Sequence, residues 1–117
     1  GGRVVLESDS GSYIWDDLQA AVTRKDRQGR VWAPQERVDA PTALKMFTRW
    51  AAEYVLRGDK LGSIEKGKTP DMVVLNRNLF EIDPDSIIDA KVVYTIFAGK
   101  IVYDAAMPRS VPSVVEV

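Results

Sequence analysis

The sequence predicts a mixed α and β chain: one strand that lacks sheet neighbours, then two main helices, then a small antiparallel β unit. Three observations lead there. Val4-Val5-Leu6 is a continuous apolar run, the pattern of a strand buried on both faces as in a parallel sheet. Two later stretches carry apolar residues at helical spacing behind capping residues. Near the end, two β-prone runs flank the tight turn Ala98-Gly99-Lys100.

The elements follow in chain order. Arg3 to Leu6 is the first strand, and Glu7 to Ser12 is a polar loop at its C-terminal end. Ser12 is positioned to cap a helix from Tyr13 to about Lys25, with Ile14, Leu18, Ala21 and Val22 on one apolar face. Asp26 to Arg37 is polar, contains Gly29 and Pro34, and reads as a surface loop. Asp39 caps a second helix, and Pro41 is tolerated in its first turn, where amide donors have no partner. Leu44, Phe47, Ala51 and Tyr54 form its inward stripe, and Gly58 is expected to close it in the left-handed conformation. Met72 to Leu75 is a compact strand, Asn76 to Pro84 a loop, and Asp85 to Asp89 one helical turn. Val92 to Phe97 and Ile101 to Tyr103 make a hairpin. The period of two gives Val93, Thr95 and Phe97 one burial class and Ile96 the opposite face. The first strand has no neighbour in this sequence, so sheet partners are expected to be missing from it.

Composition narrows the functional classes. The 117 residues are 45% hydrophobic and 28% charged, which excludes a disordered tail. Sixteen basic against seventeen acidic residues leave a charge of −1, so no basic field exists to hold nucleic acid. Cysteine and histidine are both absent. Without them this chain alone cannot build a disulfide, a thiolate nucleophile, an imidazole base or a histidine metal cluster. No apolar run of about 18 residues and no signal-peptide core occurs, so no membrane partner is expected and the cytoplasm is the favoured compartment. The opening Gly1-Gly2-Arg3, without methionine, reads as a truncation or cleavage boundary.

Asp9 is the one position where chemistry is expected. By itself, an aspartate in Ser8-Asp9-Ser10-Gly11 is a turn former or helix cap. Glu7, Asp16 and Asp17 match no calcium-loop spacing, and the last two suit a helix N-terminus. Thr23 to Arg27 with Arg30 is basic but interrupted by Asp26, and reads as a solvated face. Gly62 to Thr69 meets the Gly-x-x-x-x-Gly-Lys-Thr spacing of a phosphate loop. Pro70-Asp71 and a strand follow it, so no helix N-terminus faces the phosphates, and a structural turn is expected. Trp15, Trp32 and Trp50 are read as core or domain-contact anchors, since no basic groove accompanies them.

Gly62-Ser63-Ile64-Glu65-Lys66-Gly67-Lys68-Thr69-Pro70-Asp71, followed by Met72-Val73-Val74-Leu75, resembles the C-terminal signature of the metal-dependent amidohydrolases. Ala20-Ala21-Val22-Thr23-Arg24, Ala43 to Thr48, and Thr95 to Tyr103 resemble the subgroup called amidohydrolase family 3. The resemblance runs from about residue 3 to residue 104. It implies an α+β fold made of the last strand and helices of a (β/α)8 barrel, followed by the C-terminal part of a small β-sandwich. Residues 1–60 would be the end of the barrel, 61–104 the sandwich part, and 105–117 an extended tail. It implies a parent that hydrolyses an amide-like C–N bond in a small molecule with a divalent metal, zinc being expected. Asp9 would be both a metal ligand and the base that takes a proton from water. The histidine ligands would lie outside this chain, so the fragment itself is expected to hold no cofactor and to be inactive. Its partners would be the missing N-terminal part or a second copy. The sequence departs from the pattern in three places: Glu7 stands where glycine allows close packing, Ser10-Gly11 follows Asp9 where proline is often found, and Pro70 stands where alanine is usual. The alternative from another class is a non-catalytic structural or association module.

Overall fold

The computed structural model describes residues 2–9 and 14–107. Ser12, offered above as a cap, and the tail from residue 108 lie outside the described residues. Helix α1 spans Ile14–Thr23, with Asp16 and Asp17 in the first turn, where the dipole favours them. Leu18 at its centre is fully buried and Ala21 and Val22 pack beside it, as the spacing predicted, but Ile14 is exposed and Trp15 takes its place against the core. The helix stops before Lys25. Arg24 takes a left-handed φ of 59°, while Thr23 Oγ1 donates to the Gln19 carbonyl at 2.8 Å and accepts from Lys25 N at 3.2 Å.

The second predicted helix is two helices. Asp39 caps α2 (Ala40–Phe47), accepting from Thr42 N at 2.7 Å, and Pro41 sits in the first turn. Thr48 then leaves helical geometry, at φ −119° and ψ −86°, and α3 runs from Arg49 to Tyr54. The Thr48 hydroxyl donates to the Leu44 carbonyl at 2.7 Å, a local bond that competes with the helical ladder. This break rotates the inward stripe. Ala43, Met46 and Ala52 are buried, Leu44, Phe47 and Ala51 are half-buried, and Tyr54 faces solvent. A projection with one constant helical phase cannot cross the break.

Leu56, not Gly58, takes the left-handed conformation after α3, with φ 58°. Arg57 N donates to the Ala52 carbonyl at 2.8 Å and Leu56 N to the Glu53 carbonyl at 3.0 Å. These are the two bonds of a Schellman cap, made here by a residue with a Cβ. Gly62 does carry the conformational demand expected of glycine: its φ is +86°, and a Cβ there would lie 2.6 Å from Ala52 Cβ. Close approach of this loop to α3 therefore requires glycine.

The β unit is a three-stranded antiparallel sheet in the order β1 (Met72–Leu75), β2 (Val92–Phe97), β3 (Lys100–Asp104). Met72 faces Ile96 and Val74 faces Tyr94, while Phe97 faces Lys100. Ala98 and Gly99 form the two-residue turn, with φ of 47° and 79°, the left-handed pair that matches strand twist. Asp71 Oδ1 accepts from Ala98 N at 2.7 Å, and the Pro70 carbonyl accepts from Gly99 N at 3.1 Å. The approach to β1 thus clamps the tip of the β2–β3 hairpin.

Two expectations are corrected. Residues 3–6 form no strand: Val4 is 61% exposed, and Leu6 N reaches the Met46 carbonyl at 3.4 Å. A strand needs lateral hydrogen-bond partners, and none is offered to this segment among the described residues. In β2, burial does not alternate. Val92 to Ile96 are all half-buried and Phe97 is 64% exposed, because neither sheet face carries a complete covering layer. The strand's existence is right; a one-sided core beneath it is not.

One buried cluster joins both ends of the chain. Leu18, Ala43, Leu79, Ile87 and Ala90 form it, with Leu75 of β1 packed alongside. The 3-10 segment Pro84–Asp89 lies against α1, and Ile88 N donates to Gln19 Oε1 at 2.9 Å.

Replacing Leu56 with glycine is expected to stabilise the chain by about 1 kcal/mol, since it removes the left-handed penalty on an 88% exposed side chain. A urea midpoint that rises without a change in slope is the check; an unchanged or lower midpoint contradicts the cap geometry. Gly62→Ala should cost about 1–3 kcal/mol through positive φ and the Ala52 contact. The same titration measures it.

Candidate functional site

Asp9 ends the N-terminal segment in a turn, and its side chain is exposed, as is that of Glu7. Asp16 is engaged elsewhere, accepting from Arg27 at 3.2 Å. Among the described residues no group of three or more acidic side chains is placed to hold a metal ion. A hydrolytic zinc centre takes three protein ligands, usually including imidazole. The donor set of this chain near Asp9 is one carboxylate, so its residues do not fit a complete centre.

The basic run Arg24 to Arg30 is paired partly by its own Asp26 and partly by Asp16 and Asp85. Asp26 Oδ1 accepts from Gln28 N and Arg30 N, both at 2.9 Å. Its Oδ2 accepts from Arg30 Nε at 2.7 Å and Trp32 Nε1 at 2.9 Å. The Arg30 guanidinium lies 5.5 Å from the Trp32 ring centroid, a cation–π contact. Lys25 pairs with Asp85, and Arg24 Nε donates to the Trp32 carbonyl at 3.1 Å. The indole N–H of Trp32 is the main reason that the Asp26 carboxyl is held below its ordinary range; desolvation opposes it, and the Arg30 and Gln28 donors add to the lowering. The sequence reading missed this clasp. Its signal was Asp26 followed by Gly29-Arg30, an Asx-type turn with a return strand.

The Gly62–Thr69 motif closes on itself. Lys68 Nζ donates to Ser63 Oγ at 2.6 Å, and Ser63 Oγ donates to Glu65 Oε1 at 2.6 Å. The Lys68 side chain is only 13% exposed and lies 3.4 Å from Glu65. The lysine that a phosphate loop would leave free is thus committed to the turn, and β1 follows instead of a helix. Beside this turn is an apolar groove of about 810 Å³, walled by Leu44, Ile64, Met72, Phe80, Ile96 and Phe97. Asp71 and Arg77 bring charge to it.

A sequence profile described as the amidohydrolase family matches residues 1–103. The chain belongs to the amidohydrolase family. It is 34% identical over 107 residues to N-substituted formamide deformylase of Arthrobacter pascens, covering 89% of this chain and 20% of that protein. It is 29% identical over 90 residues to the putative amidohydrolase YtcJ of Bacillus subtilis, covering 74% of this chain and 17% of that one. A solved amidohydrolase from Thermotoga maritima superposes with a TM-score of 0.50 at 26% identity, over 60% of this chain and 17% of the other. The chain therefore spans about a fifth of the length of the curated relatives it matches. The three antiparallel strands and short helices form part of an amidohydrolase fold.

Asp26 yields a pH prediction. Because its folded pKa is depressed, its contribution is complete above the ordinary carboxylate range and is lost as pH falls through the lower folded value. Acid titration followed by the Trp32 indole NMR signal should show the loop loosening there. In Asp26→Asn the step should vanish; a step that persists contradicts the assignment.

Proposed function

We propose that this chain is the C-terminal portion of a metal-dependent amidohydrolase that hydrolyses an amide-like C–N bond in a small molecule. The observation that supports it most strongly is the family match across residues 1–103, joined to a 34% identical relative that is a formamide deformylase. In this reading residues 1–60 end the (β/α)8 barrel and residues 61–104 supply part of a β-sandwich. In this reading residues 3–6, which form no strand in this chain, would pair as a barrel strand only with partners outside it, and Asp9 would stand at that strand's C-terminal end. The divalent metal of the parent, zinc in the first instance, would be held chiefly by residues outside this chain, with Asp9 as one ligand.

Asp9 would accept a proton from the attacking water and return it to the departing nitrogen, work that needs an anionic carboxylate within hydrogen-bond reach. Glu7 would set a second negative charge two residues away. The Asp26 clasp and the Lys68 turn would act as fixed struts, not as reacting groups. The second reading, a non-catalytic association module, draws on the large apolar side chains left in solvent, Val73, Phe97, Ile101 and Val102 among them.

Complementation tests the first reading. The 117-residue chain is mixed with an N-terminal portion of the Arthrobacter deformylase that lacks its last fifth. Formamide hydrolysis should appear only in the mixture. Asp9→Asn should lower it about 10²–10⁴-fold. Activity in the isolated chain, or full activity of the Asn variant in the mixture, contradicts the proposal.

A further inference from the structure

The N-terminal segment forms no strand, yet it is tied to α2 and α3. Arg3 pairs with the Glu53 carboxylate, 50 residues further along the chain. Glu53 Oε1 also accepts from Arg49 Nε at 3.2 Å, so two guanidiniums share one half-buried carboxylate. The Arg3 guanidinium lies 5.8 Å from the Trp50 ring centroid, within cation–π range. Further on, Leu6 N donates to the Met46 carbonyl at 3.4 Å. That carbonyl belongs to the last turn of α2, where carbonyls lack helical donors. Val5 and Leu6 are half-buried. Gly58 is an independent sign that the place of Glu53 matters. Its φ is not left-handed, so the backbone conformation does not call for glycine there. A Cβ on it would lie 2.8 Å from Glu53 Cγ and 3.4 Å from Glu53 Cα. Glycine at 58 thus leaves room for the Glu53 side chain where it holds both arginines.

We propose that Arg3 is a positioning residue: held by Glu53, Arg49 and Trp50, it sets the course of residues 3–6 and with it the place where the Asp9 carboxylate stands. The catalytic meaning of that place rests on the reading of Asp9 under the proposed function. A hold at Arg3 and another at Leu6 together fix a direction, which either alone does not. Asp9 follows Leu6 closely in the chain, its Cα within about 10 Å of that of Leu6. With Arg3 released the segment pivots about Leu6, and Asp9 moves with it. A proton-transferring carboxylate must stand within about 3 Å of its partner, so the anchor serves to keep order at Asp9. Arg3 and Arg49 are largely exposed, which makes the ion pairs modest and open to screening by salt. No part of the anchor belongs to the buried cluster around Leu18.

NMR on the full 117-residue chain tests it. The readouts are amide exchange at Leu6 and the backbone order parameter at Asp9; the chemical shifts of Leu18 and Ile87 are the control for the core. Arg3→Met should lower Leu6 protection about threefold to tenfold and lower the Asp9 order parameter, with the control shifts unmoved. Arg3→Lys, which keeps the charge, should restore most of both. Raising the salt to about 0.5 M should weaken protection in the wild type and leave Arg3→Met where it is. Gly58→Ala alters neither Arg3 nor Asp9 and should give the Arg3→Met pattern by displacing Glu53. Should it move the control shifts, Glu53→Gln takes its place. Leu6 and Asp9 unchanged in Arg3→Met overturns the proposal. So does a loss that is indifferent to salt, or one that spreads to Leu18 and Ile87, which would make Arg3 a general stabilising residue. Hydrolysis is not read, so failed complementation would count against the catalytic reading and leave the anchor decided by these data.

Discussion

The buried cluster of Leu18, Ala43, Leu79, Ile87 and Ala90 is the constraint on which the rest of the structure depends. Helices of 10, 8 and 6 residues are too short to stand alone in water. A sheet of three short strands with both faces half-exposed is little better. Each gains from the other through this one layer, where α1 meets the 3-10 segment Pro84–Asp89 and Leu75 of β1 closes the side. The two ends of the chain therefore share a single small core.

Around that core the molecule relies on polar clasps in place of further burial. Asp71 holds the hairpin tip, Asp26 gathers Arg30 and Trp32, and Lys68 ties Ser63 and Glu65. The Asp26 and Lys68 clasps act within one loop each, while Asp71 reaches across 27 residues to the hairpin tip. Large apolar side chains remain in solvent on α3, on the groove wall and on the sheet, among them Tyr54, Phe80 and Phe97.

The hairpin was legible in the sequence because the β-prone runs and Ala98-Gly99 specify it locally, and the Asp39 cap was legible because one side chain and its neighbours decide it. The Thr48 break was not, since one side-chain hydroxyl decides between two helices and one, and hydrophobic spacing is silent about it. Leu56 defeated the rule that glycine marks the helix end, because the Schellman bonds outweigh its left-handed cost. Residues 3–6 read as a strand and fold as none, since strand structure depends on neighbours that local pattern cannot supply. At the candidate site, Asp9 was singled out by family position alone, and in the structure it is an exposed residue in a turn.

Its role is therefore a statement about assembly, and the most direct measurement is a crystal structure of this chain joined to its complementary amidohydrolase portion with zinc bound. The account predicts residues 3–6 paired as a barrel strand and the Asp9 carboxylate at ligand distance from the metal. Zinc bound elsewhere, with Asp9 still facing solvent, would contradict it.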